Sequence, residues 1–235
     1  MEENEPLVSV DRIKKVYSTG QRTVAALRGV SLEVFPGEFV ALMGPSGCGK
    51  STLLHLIGGM DRPTHGRVIV GGTVLETLSE AALAQFRRRQ VGFVFQFFNL
   101  LPTLTVLENA ALPLMLDGVS DHDAHASALA LLNRVGLQAR AFHFPAELSG
   151  GEMQRVAVAR AVVSTPALIL ADEPTGSLDS DNGRQVMTLL RDLNHELGLT
   201  ILLATHDDEA AHCARRVIRM RDGMIEQESL NVAVR

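Results

Sequence analysis

A chain of 235 residues with 46% hydrophobic content is long enough for one domain with a sizeable core. Its formal net charge of -5 argues against a nucleic-acid surface, which demands a basic face, and its two cysteines, Cys48 and Cys213, make no disulfide framework and fit a reducing cytoplasm. No apolar run approaches the ~20 residues needed to cross a bilayer, and the acidic start Met1-Glu2-Glu3-Asn4-Glu5 is the opposite of a signal peptide's basic opening, so any transport path is expected on another protein.

Near the start, Val8-Ser9-Val10 and Ser31-Leu32-Glu33-Val34 alternate as half-buried strands, the second closing at Phe35-Pro36-Gly37. Phe39 to Met43 then reads as a short buried strand, and Thr52 to Ile57 as an apolar helix ending at Gly58-Gly59. Between them lies Gly44-Pro45-Ser46-Gly47-Cys48-Gly49-Lys50-Ser51, a glycine-rich turn from strand into helix. Its glycines let successive backbone N–H groups converge on phosphate oxygens, and the helix adds free amides and the positive end of its dipole. Lys50 supplies a point charge between the outer phosphates, and the Ser51 hydroxyl is placed to ligate Mg²⁺. Upstream, Tyr17 is the only tyrosine and tryptophan is absent; the ring either stacks on adenine or is an exposed aromatic near an early turn.

Val68-Ile69-Val70-Gly71-Gly72 adds a strand and a turn, and Ser79 caps a helix running through Phe86 to Arg89 with one basic face. Gln96 follows the strand-like run Val91 to Phe95, where its amide can reach a metal or a water. Four of the nine phenylalanines lie within Phe93 to Phe98, followed by Leu100, Leu101, Leu104, Val106 and Leu107. That density either lines a groove for a partner's helix or builds a local core. From Phe97 to about Ala159 strand signals stop: Ser120-Asp121-His122-Asp123 starts a helix with Leu129, Leu132 and Val135 at helical spacing and Gly136 as its stop. Ser149-Gly150-Gly151, within Leu148 to Glu152, opens an Ala/Val-rich helix and so offers amides to a second anion.

The apolar strand after Thr165-Pro166 ends in Asp172 and Glu173, closed by Pro174. In an open parallel sheet, ligands sit at the carboxyl ends of strands, which places both acids beside the phosphates, and consecutive strand residues point to opposite faces, which suits two different jobs. Asp172 would hold the Mg²⁺ shell and Glu173 would polarise the attacking water; the other reading is an acidic turn. Val186, Leu189, Leu190, Leu193 and Leu197 mark one face of a helix packed on the sheet. Another apolar strand, Thr200 to Thr205, ends at His206, which can bond the terminal phosphate and keep Glu173 and water in line. The tail after Ile225 is polar, then short and apolar, and carries no assignment.

With these residues in order, the chain resembles an ATP-binding-cassette ATPase. It is similar to that family in its Walker A (Gly44 to Ser51), glutamine loop (Gln96), signature (Leu148 to Arg155), Walker B (Leu168 to Asp172), catalytic glutamate (Glu173), D-loop (Ser177-Leu178-Asp179) and switch histidine (His206). The set spans nearly the whole chain. The resemblance implies an α/β P-loop NTPase (RecA-like) core with a small antiparallel β subdomain and an inserted α-helical subdomain. It implies one nucleotide-binding domain over residues 1–235, the helical part being 97–159 and the rest 1–96 and 160–235. ATP and Mg²⁺ follow as ligands, with Tyr17, Gly44 to Thr52 and Asp179 at the nucleotide, and with Ser149, Gly150 and Gly151 facing the phosphate bound by a second copy. Ser177 stands where many members have asparagine, which leaves the role of Asp179 intact.

Gly58 to Thr64 and Ala171 to Ser180 are similar to the macrolide-exporter and lipoprotein-releasing branch, while Phe93 to Pro102 is also close to amino-acid importers. The resemblance therefore implies a homodimeric ATPase, peripheral on the cytoplasmic face of the inner membrane, that powers a permease docked near Gln96 to Leu107, with no nucleic acid. Export or extraction is the direction the branch suggests. A cell-division type of cassette, which signals its ATP state to a membrane partner, shares the same chemistry and stays open, as does a soluble cassette acting on DNA or the ribosome.

Overall fold

The structure is a computed structural model that describes residues 5–20 and 22–231. The acidic opening Met1 to Asn4 and the last four residues of the tail lie outside them. In chain order the strands and helices are β1 (Val8–Thr19), β2 (Arg22–Val34), β3 (Phe39–Met43), α1 (Lys50–Ile57), β4 (His65–Val70), β5 (Thr73–Val74), α2 (Glu80–Gln90) and β6 (Val91–Phe95). There follow α3 (Val106–Leu116), α4 (Asp121–Arg134), α5 (Gly150–Val162), β7 (Leu168–Asp172), α6 (Ser180–Leu197), β8 (Thr200–Thr205), α7 (Asp208–Ala211), β9 (Arg216–Arg221) and β10 (Met224–Leu230).

Two sheets carry the site. A four-stranded antiparallel sheet has the order β2-β1-β4-β5, and a six-stranded sheet the order β10-β9-β3-β8-β7-β6. In the second, the pairs β9–β3, β3–β8, β8–β7 and β7–β6 are parallel, and only β10 runs against its neighbour. Every residue of β3 and β8 is buried, the mark of central strands covered on both faces, and this is why they read as unbroken apolar runs. The register aligns their carboxyl ends: Met43 pairs with Thr205, while Asp172 pairs with both Ala204 and Phe95. Gly44, Gln96, Glu173 and His206 therefore all leave the sheet along one edge.

Three apolar clusters fill the molecule. The four-stranded sheet, α1 and α2 cover one face of the main sheet through Leu54, Ile57 and Leu170. On the other face α6 contributes Val186, Met187, Leu190 and Leu193, whereas Leu197 is 43% exposed, because the helix ends there at left-handed Gly198 rather than continuing its apolar face. Helices α3, α4 and α5 build a third core with Val106, Leu107 and Leu132. The expected boundary at 159 falls inside α5. The capping signals expected at Ser79 and Ser120 are observed, their hydroxyls accepting from the amides of Ala82 and Asp123.

Two features departed from the pattern of residues. β1 and β2 run far beyond the alternation at Val8 to Val10 and Ser31 to Val34, since register shifts between Val10 and Ile13 and between Lys15 and Val16 switch which face each side chain takes. The unassigned tail is β10, an edge strand whose exposed polar residues show no clean two-residue period. Arg216 secures it, pairing with Glu38 on one side and Glu228 on the other. Among the described residues no helix is long and apolar enough to cross a membrane.

Candidate active site

The phosphate loop leaves β3 and enters α1 with Pro45, Ser46 and Gly47 exposed at its tip. Its flanks are pressed into the fold. A Cβ on Gly44 would lie 2.2 Å from the carbonyl oxygen of Met220 in β9, and one on Gly49 2.7 Å from that of Ala26 in β2. Gly49 also has φ +109, which L side chains rarely adopt. The loop carries its own anchors, Cys48 N–H donating to the Pro45 carbonyl and Gly223 N–H to that of Cys48. Cys48 is buried, so its thiol packs rather than reacts.

Lys50, itself buried, donates from Nζ to the Gly44 carbonyl at 2.7 Å and stands 3.6 Å from Glu173 Oε1. Glu173 Oε2 in turn lies 3.0 Å from His206 Nδ1. Ser51 Oγ donates to Asp172 Oδ1 at 2.9 Å. Residues from α1 and from the ends of β7 and β8 thus converge although they are more than 120 positions apart in the sequence. The two acids are separated differently from the expectation. Asp172 is the last residue of β7, but Glu173 is off the strand at φ 48, a left-handed turn held by its N–H on the Ala204 carbonyl. Backbone reversal, not strand alternation, sends their side chains apart.

Burial pushes the Asp172 carboxyl up, against the Ser51 hydrogen bond and the nearby His55 and Lys50, while Glu173 adds to the rise. A carboxyl whose folded value exceeds its unfolded one weakens the fold as pH rises through the folded value, and the cost vanishes in acid. Asp172→Asn, which keeps an acceptor for Ser51, is therefore expected to raise the thermal midpoint of the nucleotide-free chain at neutral pH, with the gain closing as pH falls. Scanning calorimetry across that range checks it, and a lowered midpoint at neutral pH contradicts it.

Gln96 sits just beyond β6 with its amide against Gly176, where an added Cβ would be 3.0 Å from Nε2. Tyr17 is 40% exposed and held upright: its hydroxyl donates to Asp61 at 2.9 Å, and Lys15, itself paired with Asp61, lies 4.9 Å from the ring centre. Burial first, then Asp61, raises the Tyr17 phenol, and the Thr52 hydroxyl beside it works the other way. The ring therefore stands next to the start of α1. Lys15 and Asp61 went unnoticed in the sequence, where nothing marks a pair separated by 46 positions.

Ser149 caps α5 reciprocally with Glu152: its Oγ accepts from the Glu152 amide, and the Glu152 carboxylate accepts from the Ser149 amide at 2.8 Å. That amide and the serine hydroxyl hold Glu152 below the usual carboxylate range. Asp179 caps α6, and the Asn182 amide above all holds its carboxyl low. α5 packs against β6, α3, α4 and α6, while α1 packs against β1, β2, β4, β7 and β8. The signature and the phosphate loop thus open helices on opposite faces of the six-stranded sheet, and no hydrogen bond or ion pair among the described residues joins them.

The model of the ABC transporter family matches residues 27–176. The chain belongs to the ABC transporter family. It is an ATP-binding cassette, an ATPase domain on the α/β P-loop NTPase fold. Over 225 residues the cassette is 48% identical to the macrolide export ATP-binding/permease protein MacB of Syntrophobacter fumaroxidans, covering 95% of this chain and 32% of that protein. Over 219 residues it is 48% identical to the lipoprotein-releasing system ATP-binding protein LolD of Geobacter metallireducens, covering 93% and 97%. The chain thus spans about a third of the first relative and nearly all of the second. Among solved structures, the dimeric bacterial ABC transporter cassette MJ0796 superposes with a TM-score of 0.89 at 43% identity, over 95% of this chain and 98% of that one. The same cassette in a dimeric post-hydrolysis state, bound to ADP and Pi, superposes at 0.88 with the same identity and coverage. The branch expected from Gly58 to Thr64 and Ala171 to Ser180 is the one these relatives carry.

Proposed function

We propose that this cassette binds ATP with Mg²⁺, closes on a second copy over it and hydrolyses it to drive a membrane permease, in export or in extraction of a substrate from the membrane. The observation that carries the reading is the convergence of Lys50, Glu173 and His206 in one contact chain beside the Ser51–Asp172 pair. In this reading the amides of Gly44 to Thr52 and the Lys50 ammonium hold the phosphates, and Tyr17 offers its face to adenine. Glu173 takes the proton of the attacking water, and His206 fixes the carboxylate and the terminal phosphate. The Ser51 hydroxyl and Asp172 carboxylate are hard oxygen donors 2.9 Å apart that suit Mg²⁺, with Gln96 as a further candidate. Bound there, the ion would neutralise charge on the phosphate oxygens.

Ser149, Gly150 and Gly151 make no hydrogen bond to the phosphate loop of their own chain and open a helix on the opposite face of the sheet from α1, and this supports giving them to the partner's nucleotide, with Asp179 at the same seam. Relatives that are themselves dimeric cassettes support it further. In this reading the permease surface is narrower than Gln96 to Leu107. Phe97 is 72% exposed, but Val106 and Leu107 are buried in the helical core. The neighbouring groove, of about 430 Å³, runs between α2, the open edge of β6 and α3, with Phe93, Phe95, Leu112 and Leu116 along it and Arg87 and Arg88 at its side. An apolar helix of the permease, presented at the cytoplasmic face of the inner membrane, fits that lining.

Turnover per chain is expected to rise with cassette concentration and then level off, because each site needs two chains. Phosphate release measured across a dilution series at saturating ATP checks this. A constant rate from material that light scattering finds monomeric would end the shared-site reading.

A further inference from the structure

The helix that begins with the signature also grips the two loops that hold the hydrolytic groups of its own chain. Gln154, in the second turn of α5, is 0% exposed, and its Nε2 donates to the Phe95 carbonyl at 3.1 Å and to the Pro174 carbonyl at 2.6 Å. One amide therefore ties together the residue before Gln96 and the residue after Glu173. Its Oε1 is buried with no partner among the described residues, so the side chain is held for its donors alone. Two turns on, the guanidinium of Arg160 donates from Nη1 to the Asn99 carbonyl at 2.6 Å and from Nη2 to the Phe98 carbonyl at 2.8 Å. Those two residues are consecutive left-handed ones, φ 58 and φ 50, a turn that non-glycine residues hold only when the surroundings impose it. No carboxylate among the described residues pairs with Arg160, and burial pulls its guanidinium below the ordinary value.

The helix itself has little room to slip. A Cβ on Gly92 would lie 2.1 Å from the Ala161 carbonyl oxygen, so the backbones of β6 and α5 are pressed together. At its other end, a Cβ on Gly150 would meet Leu178 at 3.3 Å and Phe98 at 3.6 Å. A tilt of the signature turn therefore moves the carbonyls that flank Gln96 and follow Glu173.

We propose that Gln154 and Arg160 are positioning residues, through which engagement of this chain's signature by the partner's nucleotide sets Gln96 and Glu173 for hydrolysis of its own. The proposal rests on the roles given above to Glu173 and the signature. It explains why a buried amide and a half-buried guanidinium direct two donors each at four main-chain carbonyls around the catalytic groups.

The test uses the full-length chain. Gln154→Met keeps length and bulk and removes the stranded acceptor along with the donors, but leaves the Phe95 and Pro174 carbonyls unpaired. Its thermal midpoint is expected to fall modestly with nucleotide affinity at the parental value, while kcat falls at least about ten-fold, since small misplacements of reacting groups have effects of that order or larger. Arg160→Met is expected to lower kcat in the same way, and Arg160→Lys to recover part of it, because an ammonium keeps the charge and donors but lacks the planar fork that fixes both carbonyls in one geometry. Gln154→Glu adds a pH signature: burial among carbonyls raises the new carboxyl, and its neutral form regains one donor, so activity relative to the parent climbs as pH is lowered from about 8 to about 6. A parental kcat in Gln154→Met, or a loss matched by an equal loss of nucleotide affinity, overturns the proposal, as does a flat pH ratio. Glu173→Gln is run alongside: if it turns over normally, the assignment of the base fails and the proposal falls with it, whereas a dead Glu173→Gln beside a parental Gln154→Met sinks the proposal alone.

Discussion

Glu173→Gln is expected to reduce ATP turnover by roughly a hundred- to ten-thousand-fold, the range general base catalysis supplies, without loss of ATP binding. The amide is isosteric with the carboxylate and still offers an oxygen toward His206, 3.0 Å away in the parent, so the local frame survives. What it lacks is a lone pair basic enough to take the water's proton. Binding is expected to tighten. The carboxylate stands 3.6 Å from Lys50 Nζ, so it shares the cation the phosphates need and adds a negative charge beside them. With closure intact and hydrolysis stopped, the chain should persist as an ATP-bound dimer. Phosphate release together with light scattering in the presence of ATP reads both halves of the result. Turnover at the parental rate would show that Glu173 is not the base and leave Asp172 and His206 as the groups to examine.

Gly151→Ala is expected to lower turnover about a hundred-fold while the single chain keeps its affinity for nucleotide. The added methyl would fall 2.1 Å from Asn182 Oδ1, 2.6 Å from Cγ and 3.0 Å from Cβ, so rotation of the asparagine alone cannot clear it. Asn182 is not free to rotate in any case, since its Nδ2 donates to Asp179 Oδ2 at 2.7 Å. The first turns of α5 and α6 must therefore part, and the signature amides leave the place where a partner's phosphate would meet them. Asn182→Ala in the same chain removes the two nearest atoms but keeps the Cβ at 3.0 Å, so it should return part of the loss, an interaction between contacting residues that a double-mutant cycle measures. If Gly151→Ala alone also loses nucleotide affinity in the monomer, the signature belongs to its own chain's site and the head-to-tail arrangement is wrong.

Both experiments concern residues that the sequence already singled out, and the reason is local. The phosphate loop is a continuous run whose glycines, lysine and serine act through backbone geometry and one turn of helix, so spacing alone carries its chemistry. The same holds for the caps at Ser79, Ser120 and Ser149, each a serine bonding an amide three residues on. Strands β3, β7 and β8 were legible because burial on both faces makes their interiors runs of apolar residues. Reading failed where one residue's environment is set by another far away. Register shifts hid most of β1, β10 is an edge strand with little to bury, and the left-handed turn at Glu173 arises from its bond to Ala204.

From its order of residues, then, this cassette declares its family and the order of its motifs, because those rest on short-range backbone chemistry. Only the folded arrangement decided which groups touch. The parallel register of β6, β7 and β8 brings the ends of three strands to one edge, Asp61 comes under Tyr17, and Gln154 and Arg160 reach the loops around Gln96 and Glu173. Such contacts depend on how sheets and helices pack in space, and a linear pattern holds no record of distance between its parts.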